Sequence, residues 1–145
     1  WKTSSALIEK RDEMKTATMK MHHAVDPRVE LTRAVGDLSE IKVFNNYILC
    51  AVYRRPEKTA SGLYLSDTTR KEDDYQGKVV LVLKKGPLAF VDDDNTRFAG
   101  QNVEVGEWIV LRSSDGWKLN VNGQLCHMIQ DIQVRMSIPE PDVAF

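Results

Sequence analysis

The chain has 145 residues, of which 42% are hydrophobic, and a formal net charge of −1. That length suits one domain with an extension and can bury a core without disulfides. The near-neutral charge gives no global attraction to nucleic acid or anionic membranes, and no apolar run approaches the roughly 20 residues that span a bilayer.

In chain order, residues 3–21 predict a helix. Ser4 or Ser5 can cap it, and Leu7, Met14 and Met21 recur at seven-residue spacing. The rest of that helix is mostly Glu, Lys, Arg, Asp and Thr, so its apolar stripe is thin and it needs a partner surface or a neighbouring subunit. Lys10, Arg11, Asp12, Glu13 and Lys15 break any signal-peptide pattern, and Trp1 in place of Met leaves room for upstream residues. A second, short helix is punctuated by Asp26 at the N-cap, Pro27 at the first helical position and Gly36 as the C′ stop. Leu31, Ala34 and Val35 give it a small apolar face. Residues 1–40 thus read as an α-helical N-terminal arm, and deletion of 1–36 is expected to leave the remainder folded.

From Ile41 the texture changes to short β-strands. Tyr47 to Tyr53 and Lys78 to Lys84 are apolar runs of the buried-strand kind. Glu107 to Arg112 and Trp117 to Val121 follow, the latter with period-two alternation. Gln124 to Gln130 comes after Asn122-Gly123, a strong hairpin signal. Ile132 to Met136 is expected as a last strand, with Pro139 and Pro141 ending regular structure in a tail over 139–145. Short strands with such punctuation predict a small all-β barrel or sandwich over 41–138. Cys50 and Cys126 lie within apolar runs and read as buried thiols in a reducing compartment rather than a disulfide.

Two connections are long. Residues 86–101 carry Asp92-Asp93-Asp94 together with Phe90 and Phe98, and are expected to project as a hairpin. Residues 56–76 are expected as a polar loop whose crest, Gly62-Leu63-Tyr64-Leu65, is apolar. Loops of that length inside a compact domain are uncommon unless functional or disordered. An apolar crest suggests docking into a partner, while a strand packed on its own barrel is the bland alternative.

The order of these signals resembles the GroES-type co-chaperonins over roughly residues 42–138. Gly62-Leu63-Tyr64-Leu65 stands where that family carries the Gly-Ile-Val-Leu crest of its mobile loop. Gly77-Lys78-Val79-Val80 resembles the strand start after the loop, and Val103-Glu104-Val105-Gly106-Glu107-Trp108-Ile109-Val110 resembles the family's Val-Lys-Val-Gly-Asp-Ile-Val segment. Gly123 to Ile129 resembles the strand that closes the barrel. The resemblance implies a GroES-like, partly open β-barrel that assembles into a ring and docks on an ATP-driven chaperonin ring through the crest.

The arm over 1–40 has no counterpart in that family, and the 86–101 region differs in sequence. Such variants resemble bacteriophage-encoded proteins. The expected place is therefore the bacterial host cytoplasm, or alternatively the virion, where the same fold would serve as a capsid decoration protein bound to the major capsid protein. An enzyme is not expected. His22, His23 and His127 have no metal-ligand spacing, and Asp73-Asp74 and Asp92 to Asp94 do not match a calcium loop. No nucleophile motif or phosphate-cradling loop is present, so no catalytic residue, cofactor or metal is assigned. Arg54-Arg55 and Arg70-Lys71 form no aromatic-interleaved basic stripe, so neither nucleic acid nor membrane is an expected partner.

Overall fold

The computed structural model describes residues 21–56 and 62–144. The helix expected over 3–21 lies almost wholly outside the described residues. The fold is built on one antiparallel sheet of six strands: β1 (Tyr47–Val52), β2 (Val79–Lys85), β3 (Trp108–Val110), β4 (Trp117–Val121), β5 (Gln124–Gln130) and β6 (Met136–Ile138). Their spatial order is β4-β5-β1-β2-β3-β6, so β1 and β2 are central and β4 and β6 form the edges. This is the open, barrel-like sheet expected from the sequence. The β4–β5 turn is Asn122-Gly123, with φ of 50° and 85°. Positive φ at both central positions is what a two-residue turn needs to match strand twist.

Every residue from Ile48 to Tyr53 is buried, so β1 presents apolar side chains to both faces of the sheet. Leu49, Ala51 and Tyr53 join Val79, Leu81, Leu83 and Trp108 in one core. Ile48, Cys50 and Val52 join Val80, Val82, Val103, Ile109, Leu111 and Ile129 in the other. A sheet greasy on both faces must be covered on both. The first face is covered by the segment that precedes β1. Helix α1 (Pro27–Val35) carries the expected caps: the Asp26 carboxylate accepts from the Arg28 amide at 2.9 Å, and Gly36 ends the helix at φ 69°. Val35, at its end, is fully buried in the first core, with Leu31, Leu38, Ile41 and Val43 packed around it.

Polar contacts fasten the same segment. Asn122 Nδ2 donates to the Val35 carbonyl at 2.6 Å, and the Lys84 ammonium donates to the carbonyls of Leu38 and Ile41. Residues from this segment therefore pack on the sheet and are hydrogen-bonded to it.

Three expectations about local structure differ from what is observed. Residues 67–76, expected as loop, form helix α2 (Asp67–Gln76). Residues 86–101 contain turns and no described strand. Asp92 gathers the Thr96, Phe98 and Ala99 amides at 3.1, 2.6 and 3.2 Å, and those bonds, that to Phe98 foremost, hold its carboxyl below the usual range. The segment folds back, with Phe98 buried edge-on against Phe90 at 5.2 Å. Finally, Asp131–Gln133 is a 3-10 turn, and the last strand starts only at Met136. The cause is the buried Asp131 carboxylate, which accepts from Asn46 Nδ2, the Phe90 amide and the Ile132 amide at 3.0, 3.1 and 2.7 Å.

Cys50 and Cys126 are buried free thiols. Burial pushes the Cys126 thiol up to about 11 and raises Cys50 as well, so both are inert at neutral pH. His127 is fully buried on β5, opposite Cys50 of β1 and Lys118 of β4. Its Nε2 meets the Asp115 carbonyl, and its Nδ1 has no hydrogen-bond partner among the described residues. Burial lowers its pKa from 6.5, opposed by the bond to Asp115.

Two predictions follow from these cores. Val35→Ala is expected to destabilise the fold by about 1–3 kcal/mol in urea unfolding, whereas exposed Arg33→Ala should stay within about 0.5 kcal/mol. The second concerns His127. The unfolded chain takes up a proton that the native site refuses, so the His127 contribution is full above the ordinary imidazole range and is lost as pH falls through and below about 6.5. The melting temperature should decline between pH 7.5 and 5.5, and the decline should be shallower in His127→Gln.

Candidate functional site

The crest lies between two fixed points. On one side the Tyr53 amide donates to the Val79 carbonyl at 3.0 Å, which extends the β1–β2 pairing to the end of the apolar run. Tyr53 is also locked by its side chain. Its ring packs edge-on against Trp108 at 5.6 Å, and its hydroxyl donates to Asp142 Oδ1 at 2.6 Å. Asp142, on a terminal 3-10 turn (Pro141–Ala144), also pairs with His23 Nε2 at 2.9 Å and accepts from the Met21 amide at 3.4 Å. One carboxylate thus ties the start of the described chain, the exit of β1 and the C-terminal turn together.

On the other side stands α2. Its sequence has no apolar period, and what starts it is Ser66, whose Oγ accepts from the Thr69 amide at 3.1 Å. Two reciprocal bonds join α2 to the exit of β1. Arg54 Nε donates to the Arg70 carbonyl at 3.0 Å, and Arg70 Nε donates to the Arg55 carbonyl at 3.2 Å. The basic pair Arg54-Arg55 and Arg70 therefore act as a brace at the base of the loop.

Between these anchors Leu63 is 67% and Tyr64 73% exposed, with Leu65 half-buried. Gly62 has φ 95°, a conformation that a side chain disfavours, so the chain bends there at little steric cost. Leu63 and Tyr64 therefore present apolar surface to solvent just ahead of α2, Tyr64 forms an isolated β-bridge, and Leu63 is not tucked beneath its own sheet. Gly62, Leu63, Tyr64 and Leu65, the residues singled out from sequence, are contiguous in the structure. The Arg54–Arg70 brace, the Ser66 cap and the Asp142 cluster escaped sequence reasoning. Of these only Ser66, followed three residues later by Thr69 ahead of a charged run, left a local signal.

Among the described residues no group of three or more His, Cys, Asp or Glu is placed to hold a metal ion, and no helix is long and apolar enough to cross a membrane. What the geometry offers is apolar area presented on a stiff frame.

The cap on α2 can be tested directly. Ser66→Ala is expected to cost α2 about 1 kcal/mol, read as faster amide exchange at Thr69 and Arg70, while exchange in β1 stays unchanged.

With the fold and crest described, comparison with known proteins is decisive for kinship. Residues 40–135 match the family described as the chaperonin 10 Kd subunit. This span runs from just before β1 to just before β6 and includes the crest, whereas α1 lies outside it. The co-chaperonin GroES of Parageobacillus thermoglucosidasius is 34% identical over 84 residues, which are 58% of this chain and 83% of that protein. The match covers well over half of the chain, and the antiparallel barrel-like sheet agrees with it: the chain belongs to the chaperonin 10 kDa subunit family.

Proposed function

We propose that this protein is a non-enzymatic co-chaperonin, a homo-oligomeric lid that docks on a chaperonin ring through Gly62, Leu63, Tyr64 and Leu65. The observation that carries this reading is the exposure of Leu63 and Tyr64, at 67% and 73%, just ahead of α2 and inside the family match. The relative named as a co-chaperonin supports the same direction.

The energetics suit a reversible cap. Burying exposed Leu63 and Tyr64 contributes about 1.5–3 kcal/mol each, and half-buried Leu65 less. Fixing a loop residue costs about 1–2 kcal/mol, so one crest alone binds weakly. Helix α2 reduces that cost, because ten residues of the expected loop are already in regular structure. A ring of identical crests rebinds at high effective concentration, so many weak contacts hold while each can release. ATP hydrolysis belongs to the chaperonin in this scheme, and the lid needs no cofactor.

The test is chaperonin binding by the double variant Leu63→Ser/Leu65→Ser. Wild-type chain should co-sediment with a nucleotide-bound chaperonin ring, and the variant should lose at least tenfold in affinity with its melting temperature nearly unchanged. Wild-type chain that fails to bind any such ring, yet is recovered stoichiometrically in purified phage particles, would move the crest to a capsid partner and overturn the lid.

A further inference from the structure

The β4–β5 turn and the C-terminus of α1 meet at one side chain. Asn122 Nδ2 donates to the Val35 carbonyl at 2.6 Å, and it lies 3.9 Å from where a Cβ on Gly36 would stand. Val35 is the last residue of α1, so its carbonyl is one of those that a helix leaves without an intrahelical donor. It also stands at the negative end of the helix dipole, where an N–H is favoured. The side-chain amide of Asn122 therefore caps α1 from a turn 87 residues away. Asn122 is followed by Gly123, and this is the sole Asn-Gly pair of the chain. In that dipeptide the Gly nitrogen, with no Cβ beside it, reaches the Asn side-chain carbon with little hindrance. Both residues are exposed, and no heavy atom beyond the chain neighbours lies within 4 Å of where a Cβ on Gly123 would stand, so solvent has access.

We propose that Asn122-Gly123 is a deamidation site whose reactivity is set by the docking of α1, and whose reaction undocks it. The Gly123 backbone nitrogen bonds to Asn122 Cγ, the Cγ–Nδ2 bond breaks, and Nδ2 leaves as ammonia, taking the proton that Gly123 loses. The five-membered imide so formed takes up one water, which opens it to aspartate or isoaspartate, with no oxidant or reductant. While Nδ2 is bonded to Val35, the side chain is held on α1 and the backbone is held in the hairpin turn, with φ of 50° and 85°. Attack requires Cγ to swing onto the Gly123 nitrogen, so it waits on the breaking of that bond. The product then reverses the contact. Either carboxylate lacks the N–H that the Val35 carbonyl accepts, and it sets a full negative charge against the negative end of α1. Isoaspartate also adds a backbone atom to a turn whose two-residue length sets the β4–β5 register. Asn120, two residues earlier, precedes Val121, whose branched side chain hinders the same attack. Helix α1 lies before residue 40, where the family match begins, so the latch is a property of this chain and not of the matched span alone.

The experiment incubates the full chain, and a synthetic peptide of its residues 119–125, in mildly alkaline buffer and follows deamidation by peptide mass spectrometry, with Asn120 as the internal reference. The peptide should convert at least about tenfold faster than the chain, in which attack waits on local opening. That comparison uses wild-type chain alone and is independent of how any variant folds. Under conditions where circular dichroism shows the variants folded, Val35→Ala, which loosens α1, should speed conversion of Asn122 by at least about threefold. Val80→Ala makes the same truncation in the other core and should convert as wild type does. Asn122→Asp, the direct product, should raise amide exchange over residues 31–36 by about fivefold and leave exchange in β1 and β2 unchanged. A chain that converts as fast as the peptide, equal rates in Val35→Ala and Val80→Ala, or unaltered exchange over residues 31–36 in Asn122→Asp would each overturn the proposal.

Discussion

The constraint on which the structure depends is that β1 is buried on both faces. A strand running Ile48-Leu49-Cys50-Ala51-Val52-Tyr53 without a polar break cannot lie on a one-sided sheet, because either face left to water would expose several large side chains. One face is satisfied by Val103, Leu111 and Ile129 from within the barrel. The other takes Val35 and its neighbours from residues that precede the family match. The N-terminal segment is thus recruited by a demand already written into β1, and its clamps at Asn122 and Lys84 satisfy carbonyls that the docking would otherwise strand.

This frame explains why a small apolar crest can stand out from the body. Tyr53 leaves the core with its amide, ring and hydroxyl all engaged, and Arg54 and Arg70 cross-bond just beyond it. Those contacts fix where the loop begins and where α2 takes over. Leu63 and Tyr64 are exposed just ahead of α2, and under the proposed function two such side chains keep a single contact weak.

Much of this was legible in the sequence where the signal was local. Asp26-Pro27 and Gly36 bracket α1, and Asn122-Gly123 set the hairpin, because caps and tight turns are decided within a few residues. The apolar runs at β1 and β2 are continuous, so they read as buried strands with little ambiguity. The crest was legible for the converse reason, three large apolar residues in a polar surround. Helix α2 was not, because Asp-Thr-Thr-Arg-Lys-Glu-Asp-Asp-Tyr-Gln has no apolar face and its start rests on one serine cap. The 86–101 turns and the delayed β6 depend on Asp92 and Asp131, carboxylates that look like surface charges until their amide partners are known. The Tyr53–Asp142 bond spans 89 residues, and no window along the chain can show it.

The proposed docking uses Leu63 and Tyr64, two of the exposed apolar side chains, against a partner. Amide hydrogen exchange of the full chain, with and without a nucleotide-bound chaperonin ring, tests this most directly. Docking through the tip predicts new protection at Leu63, Tyr64 and Leu65, with exchange in β1 and β5 unaltered. Protection that appears instead along α1 or the open edge of β6, with the tip exchanging as freely as before, would contradict it.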